Sequence, residues 1–277
     1  MQIRDLEVRR NEQGTALIAY LRKALNLSGK AAKRLLDDRA VLVNGQRIWM
    51  ARHPLVAGDR LRIVEPPNRR TQPAALTVLV RGEGYCVIDK PDGLLAQGRD
   101  GVEGLLRKQL NNPSLACVHR LDRDTSGCLL LADDPAIRER LVAAFVSRDV
   151  FKLYHAIVHG RIRAETRVIA SPIDGQRAVT RIRILDRGTG ATHIQAVIET
   201  GRTHQIRKHL AAIHHPVAGD RTYAVERAAG EFAMAAPRQL LHAAKLVFPD
   251  PRSGQPVRAI APLPGDFRAM LAACRLT

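Results

Sequence analysis

The feature that most constrains this sequence is a charged segment that runs directly into an apolar one. Residues 117–127 read CVHRLDRDTSG, and residues 128–132 read CLLLA. A polar loop that enters a short apolar segment is typical of an active-site turn followed by a buried strand, because the strand fixes what the loop presents. Asp122 lies between Arg120 and Arg123, and a nearby cation stabilises an ionised carboxylate. Asp122 is therefore a candidate nucleophile or base, although side chains that only cap backbone amides also fit this loop.

Two later segments place polar residues in regular elements. Residues 152–160, KLYHAIVHG, alternate with the period of a strand, so Tyr154 shares a face with apolar side chains. A tyrosine in that pattern ordinarily belongs to a core. Residues 199–210, ETGRTHQIRKHL, predict a turn followed by a helix, with Thr203 as a cap and Arg207 one turn into the helix.

These segments resemble the motifs of the RluA-type pseudouridine synthases, in the same order and over nearly the whole chain. The matches are HRLD at residues 119–122, TSG at 125–127, KxYxAxVxG at 152–160 and GRTHQIR at 201–207. Residues 90–93, KPDG, also match a KPxG turn of the family. Proline and glycine alone explain that turn, so we assign it no function.

The resemblance implies a role for individual residues. Asp122 takes the place of the catalytic aspartate, and Arg207 takes that of the arginine that pairs with it. Tyr154 takes the place of the tyrosine that contacts the target base, and we expect Arg120 to line the RNA cleft. Such an enzyme uses no metal and no cofactor.

The first 65 residues have the pattern of a small module that contains helices and strands. Residues 15–25 show the apolar spacing of an amphipathic helix, and Ser28 is a candidate N-cap for a second helix that extends through Leu36. Residues 40–48 predict two strands joined by an Asn-Gly turn, and residues 56–63 predict a further turn and strand.

This order of elements resembles the S4 RNA-binding domain. The second helix carries a basic face formed by Lys30, Lys33 and Arg34, and residues 1–65 contain 13 basic and 7 acidic residues. Phosphates suit such a face, and binding should then depend on salt. A basic helix face that is merely solvated is the alternative interpretation.

Composition favours a polyanionic partner. The formal net charge is +17, and only 4% of residues are aromatic. Nucleic acid is the commonest partner of so basic a protein, although an anionic membrane surface or simple solubility also fits. The four cysteines form no CxxC pair, and no apolar run approaches the ~18 residues of a membrane span. We therefore expect a cytoplasmic protein without disulfides, zinc or a membrane segment.

Three other chemistries have weaker support in the sequence. Asp122 and Asp124 are too close in the chain to bracket a sugar bond as paired carboxylates. His204 and His209 diverge on a helix, and no HExxH motif or nearby acidic ligand accompanies them. Ser126 lacks the GxSxG elbow of a hydrolase.

The sequence therefore predicts an α+β protein with an S4-like domain at residues 1–65, a linker at 66–75 and a catalytic domain at 76–277. The second domain should contain a mixed, mostly antiparallel sheet with flanking helices. We expect isomerisation of uridine in structured RNA, with ribosomal RNA preferred and transfer RNA possible. No DNA, membrane or obligate protein partner is implied. A non-catalytic RNA-binding or ribosome-binding protein is the alternative.

Overall fold

The computed structural model describes residues 2–37, 40–48, 50–65, 75–223, 236 and 238–277. The chain divides into two compact units, Met1–Gln72 and Pro73–Thr277. Residues 66–74, most of the predicted linker, lie outside the described residues. The domain boundaries of the sequence analysis therefore stay a prediction.

The first unit contains a four-stranded antiparallel sheet in the order β1-β4-β2-β3. Its elements are β1 (Gln2–Glu7), α1 (Leu17–Ala24), α2 (Gly29–Asp37), β2 (Val41–Val43), β3 (Gln46–Arg47) and β4 (Arg60–Glu65). The predicted turn is confirmed, because Asn44 and Gly45 both have positive φ, at 51° and 81°. The predicted cap is also confirmed, since the Ala31 amide donates to Ser28 Oγ at 3.2 Å.

The second unit is built on a ten-stranded sheet. Its main path runs β10-β11-β12-β9-β13-β8-β6-β5, while β14 pairs with β13 and β7 pairs with β8. The strands are β5 (Thr77–Gly82), β6 (Tyr85–Lys90), β7 (Ala116–Cys117), β8 (Ser126–Ala132), β9 (Phe151–His159), β10 (Thr166–Ile169), β11 (Thr180–Arg187), β12 (Ala191–Ile198), β13 (Leu241–Pro249) and β14 (Pro256–Ile260). The helices are α3 (Val102–Gln109), α4 (Pro135–Ser147), α5 (Gln205–Ala212) and α6 (Gly265–Ala273).

Helices cover both faces of this sheet. The helices α3 and α5 pack on one face, through Leu106 and Leu210, over a core that includes Tyr154. The helices α4 and α6 bury apolar residues against the other face. Alternation along β8 sends successive side chains into opposite cores, which explains why the whole strand is buried and reads as a continuous apolar run. The predicted α+β fold is thus confirmed.

One parallel pairing interrupts the otherwise antiparallel ladders of the described strands. Strand β8 pairs with β13 through Ser126 with His242 and Gly127 with Ala243. Because the strands are parallel, the segments that precede their first residues lie at the same edge of the sheet. The charged loop before β8 and the segment before β13 therefore meet there.

Gly127 permits this pairing and gives a test of it. Its φ is +108°, and an added Cβ would overlap the carbonyl group of Ala243. We expect Gly127→Ala to lower the free energy of unfolding by about 3 kcal/mol, from overpacking and an unfavourable backbone. Gly175 has a φ of +73°, and a Cβ added there would meet nothing within 4 Å, so Gly175→Ala should lose only about 1 kcal/mol. Urea unfolding of both variants checks this, and equal losses would contradict it.

Candidate active site

Asp122 lies in the loop between β7 and β8, with its side chain 27% exposed. The Thr125 amide donates to the Asp122 carbonyl at 3.1 Å, which closes the loop into a turn immediately before the buried strand. The carboxylate is thus held at the edge of the sheet and partly exposed to solvent. This is the placement that the polar-to-apolar transition predicted.

Arg207 connects this carboxylate to a second one. Its Nη1 donates to Asp122 Oδ2 at 2.9 Å, while Nε and Nη2 donate to the two oxygens of Asp220 at 2.6 and 2.9 Å. The side chains of Arg207 and Asp220 are 7% and 0% exposed. Burial opposes the guanidinium charge, but the hydrogen bonds and charges of the two carboxylates outweigh it and raise the pKa of Arg207. The structure therefore brings Asp122 and Arg207 together.

His204 and Tyr223 complete one side of the site. His204 Nε2 lies 3.7 Å from Asp122 Oδ1, and His204 Nδ1 lies 2.9 Å from Tyr223 Oη. The Tyr223 ring also lies beneath the Arg207 guanidinium, at 5.1 Å from Cζ to the ring centroid. Burial lowers the pKa of His204, while the charge of Asp122 acts in the opposite direction.

The cap predicted for α5 is wrong. The N-cap residue is His204, which has a left-handed backbone conformation and makes no side-chain cap hydrogen bond. Thr203 is exposed. The turn is held instead by Gln205, whose Oε1 accepts from the Arg202 amide at 3.1 Å and from Thr200 Oγ1 at 2.7 Å. A buried glutamine therefore stabilises this turn, a contact that the helix-cap pattern could not indicate.

Lys90 holds the backbone of the loop that carries Asp122. It is completely buried, and its Nζ donates to the carbonyls of Pro91 and Arg123, both at 2.8 Å. Burial lowers the pKa of Lys90 to about 7, against the charges of nearby aspartates that raise it. A neutral amine still has two N–H donors, so both carbonyls keep a partner when the proton is lost. The KPDG pattern of this turn did not indicate the role of Lys90, because its partner at Arg123 lies 33 residues away.

The segment before β13 holds the same loop from the other side. Arg238 Nη1 donates to the Asp124 carbonyl at 3.0 Å, and its Nε donates to Asp266 Oδ2 at 2.7 Å. Gln239 Nε2 donates to Thr125 Oγ1 at 2.7 Å and lies 3.5 Å from Asp122 Oδ2. The local sequence pattern did not indicate either residue, because the loop groups that they bond lie 114 residues away in the chain.

Tyr154 lies on β9 within the core that faces α3 and α5, and it is 8% exposed. Burial, followed by the charge of Asp122, raises the pKa of its phenol. The hydroxyl therefore stays protonated near neutral pH. Tyr154 belongs both to the core and to the electrostatic surroundings of Asp122, so the two interpretations of its motif are compatible.

The remaining predicted residues lie on the surface. Arg120 is exposed in the same loop as Asp122. Lys30, Lys33 and Arg34 are exposed on α2 of the first unit, while Leu36 of the same helix is buried in that unit's core. The basic face predicted for this helix is therefore accessible to solvent.

Two groups considered for rival chemistries are engaged in contacts within the fold. Ser126 Oγ and His242 Nδ1 lie 2.9 Å apart, but both residues are buried between β8 and β13, and His242 Nε2 faces the Ala261 carbonyl at 3.2 Å. The pair is a structural contact between strands. Both ring nitrogens of His209 are engaged, with Thr180 Oγ1 and the Ser171 carbonyl. Among the described residues, no group of three or more metal-ligating side chains could hold an ion.

No helix in the described part of the chain has the length and apolar character needed to cross a bilayer.

The model of the RNA pseudouridylate synthase family matches residues 84–212. Ribosomal large subunit pseudouridine synthase C of Vibrio cholerae is 31% identical over 308 residues, which cover 99% of this chain and 98% of that protein. Ribosomal large subunit pseudouridine synthase D of Neisseria meningitidis serogroup A is 30% identical over 298 residues, 95% of this chain and 79% of that protein.

A solved structure shares the fold. Human RNA pseudouridylate synthase domain containing 4 superposes with a TM-score of 0.62 at 23% identity, over 73% of this chain and 94% of that chain. Together with the sequence relatives, this defines the class of protein as an RNA-modifying isomerase. The chain belongs to the RluA-type family of RNA pseudouridine synthases. The resemblance carried by its motifs is therefore confirmed.

The buried Lys90 predicts a pH dependence of stability. Its folded pKa of about 7 lies below the unfolded value, so the unfolded chain binds one more proton between pH ~7 and ~10. The free energy of unfolding should therefore rise with pH in this window, by at most about 1.4 kcal/mol per unit. Lys90→Met should lack this rise. Urea unfolding of both proteins at pH ~7, ~8 and ~9 measures the rise. An equal change of the free energy of unfolding with pH in the two proteins would contradict the prediction.

Proposed function

We propose that this enzyme isomerises selected uridines of large-subunit ribosomal RNA to pseudouridine. The relatives from Vibrio cholerae and Neisseria meningitidis are named for the ribosomal large subunit, and this chain matches them along most of its length. The net charge of +17 suits a large polyanionic substrate. Transfer RNA is the competing substrate, and the cytoplasm is where either RNA would be met.

The reaction requires that the N-glycosidic bond break, that the detached uracil turn while bound, and that a carbon–carbon bond form in its place. The target base must leave its stack to reach the site, which costs least in single-stranded loops. The enzyme needs one group that reacts with the nucleoside and others that hold it in place. We assign the first role to Asp122, as nucleophile toward the sugar or as base, and neither path needs a metal or a cofactor.

The observation that carries this assignment is the contact of 2.9 Å between Arg207 Nη1 and Asp122 Oδ2. Arg207 is itself fixed by its two hydrogen bonds to buried Asp220, so it presents Nη1 in one direction. A carboxylate held in this way needs little reorganisation when the nucleoside reacts. Arg207 is thus assigned to orienting Asp122.

Tyr154 and Arg120 are assigned to the RNA. Tyr154 would pack its ring against the uracil, since aromatic faces stack on bases. Its raised pKa keeps the hydroxyl protonated and able to donate a hydrogen bond to the base. Arg120, which is exposed on the same loop as Asp122, would contact the RNA strand that enters the cleft.

Asp122→Asn tests the chemistry. The reaction expels the hydrogen on C5 of uracil, so wild-type enzyme should release tritium from [5-³H]uridine in total RNA of a strain that lacks this protein. We expect Asp122→Asn to lose at least ~10³-fold of this rate while still binding RNA.

Asp174→Asn is the matched control, because Asp174 is an exposed aspartate paired with Lys208. It should release tritium at the wild-type rate. Release by Asp122→Asn would contradict the catalytic assignment. No release by any of the three proteins, with RNA still bound, would favour the non-catalytic binding protein.

The S4-like module predicts a salt-dependent contribution to binding. Replacement of Lys30, Lys33 and Arg34 by Ala should weaken RNA binding and reduce the slope of log K against log salt by about 2 to 3. Replacement of Arg10, Lys23 and Arg52, which are exposed in the same unit, removes as many charges and should change the slope less. Filter binding at several salt concentrations measures both, and equal slopes for the two triple variants would contradict a specific role for α2.

A further inference from the structure

The two oxygens of the Asp122 carboxylate have different surroundings. Within the described part of the chain, the hydrogen bonds from Arg207 Nη1 and Gln239 Nε2 both go to Oδ2. The other oxygen, Oδ1, faces the imidazole of His204, whose Nε2 lies 3.7 Å away. An oxygen held by two donors is less basic than its partner, so Oδ1 is the oxygen suited to accept a proton.

The backbone of His204 is held in an unusual conformation. Its φ and ψ are 56° and 27°, in the left-handed region, at the residue immediately before α5. A residue with a Cβ adopts this conformation less readily than glycine, because the Cβ crowds the following carbonyl oxygen. No side-chain cap hydrogen bond of His204 compensates this cost. Strain of this kind persists where the surrounding structure imposes it, and it is concentrated at functional sites.

The other ring nitrogen of His204, Nδ1, also has a defined partner. His204 Nδ1 lies 2.9 Å from Tyr223 Oη, and the two rings meet edge to face with centroids 5.7 Å apart. When Nδ1–H donates to Tyr223, the lone pair of Nε2 points away from that bond and is free to take a proton. The His204 side chain is 32% exposed, so a proton can pass from it to solvent.

From this geometry we propose that His204 is a further catalytic residue of the isomerisation, which accepts a proton from Asp122 Oδ1 and passes it to solvent. The inference rests on the proposed role of Asp122. A separation of 3.7 Å is slightly longer than a hydrogen bond, and catalytic hydrogen bonds are often long in a free enzyme and shorten in the reacting complex.

The reaction removes one proton from C5 and adds one proton to N1, so the proton that leaves C5 needs an acceptor. After C5 bonds to C1′, the C5–H bond breaks, and its electron pair restores the C5–C6 double bond. The electrons of the C6–N1 double bond return to N1, which takes one proton from solvent. The proton from C5 goes to Asp122 Oδ1, then to His204 Nε2, and a proton leaves the imidazole for solvent. Asp122 is thereby regenerated, and no oxidant or reductant is needed.

The charges around His204 are compatible with this role. Burial lowers the pKa of its imidazole below the usual value, so it is neutral and able to accept a proton near pH ~7. The titratable or charged groups that face the His204 ring come from the loop that carries Asp122, from α5 and from the segment after α5. They are Asp122, Arg207, Lys208, Asp220 and Tyr223.

The experiment uses variants that suit the backbone of residue 204. Asparagine and glycine both tolerate the left-handed region, so His204→Asn and His204→Gly remove the imidazole without adding strain. Tritium release from [5-³H]uridine in total RNA of a strain that lacks this protein is measured under single-turnover conditions with enzyme in excess. RNA binding is measured separately.

We expect both variants to release tritium about 10²-fold more slowly than wild type, with RNA affinity unchanged. Added imidazole should restore much of the rate of His204→Gly. The rate of wild type should fall on the acid side of neutrality as the imidazole becomes protonated, and both variants should lack that inflection.

Rates within about threefold of wild type would overturn the proposal. So would a slow rate without imidazole rescue and with an unchanged pH profile, or a loss confined to RNA affinity, since these indicate a structural or RNA-contact role. Asp122→Asn in the same assay distinguishes failure of the role proposed for Asp122 from failure of the role proposed for His204. If that variant is active, the proposed role of Asp122 fails; if it is inactive and the His204 variants are fast, only the role of His204 fails.

Discussion

The geometry of the site depends on one guanidinium that two carboxylates share. Arg207 uses Nε and Nη2 for Asp220 and Nη1 for Asp122. A bidentate pair fixes the plane of the guanidinium, so the third donor has little freedom. The cost of burying these charges is offset by their mutual attraction and by hydrogen bonds from all three guanidinium nitrogens. Asp122 is therefore positioned by the protein itself, before any substrate contributes.

The backbone of the loop is held by a different set of groups. The parallel pairing of β8 with β13 brings together two segments that are more than a hundred residues apart. Lys90 and Arg238 then bond to the carbonyls of Arg123 and Asp124. Both cations recognise main-chain oxygens, so they fix the path of the loop whatever side chains it carries. The side chains of Arg123 and Asp124 are not needed for these two bonds, which use main-chain oxygens.

The sequence was most informative where local pattern and motif agreed. The continuous apolar run after Asp122 predicted a buried strand, and β8 is one. Other strands, such as β1, depend on pairing with a segment that is distant in the sequence, which for β1 is β4. No local hydrophobic periodicity indicates such a pairing. Lys90 was misjudged for the same reason, because a lysine is ordinarily exposed and the carbonyl that it binds at Arg123 lies 33 residues away. The αL conformation of His204 likewise depends on its tertiary contacts.

Asp220 shows how far the definition of an active-site residue can extend. Its Oδ1 accepts from Arg207 Nη2 and from the amides of Thr222 and Tyr223, at 2.9, 2.8 and 3.2 Å, so one buried carboxylate orders both a guanidinium and the chain that carries a tyrosine. Loss of Arg207 would leave the buried charge of Asp220 without its partner, whereas loss of Asp220 would leave Arg207 with Asp122 alone. A screen that scores only activity would count Asp220 among the reacting groups, although it is fully buried and acts through its neighbours.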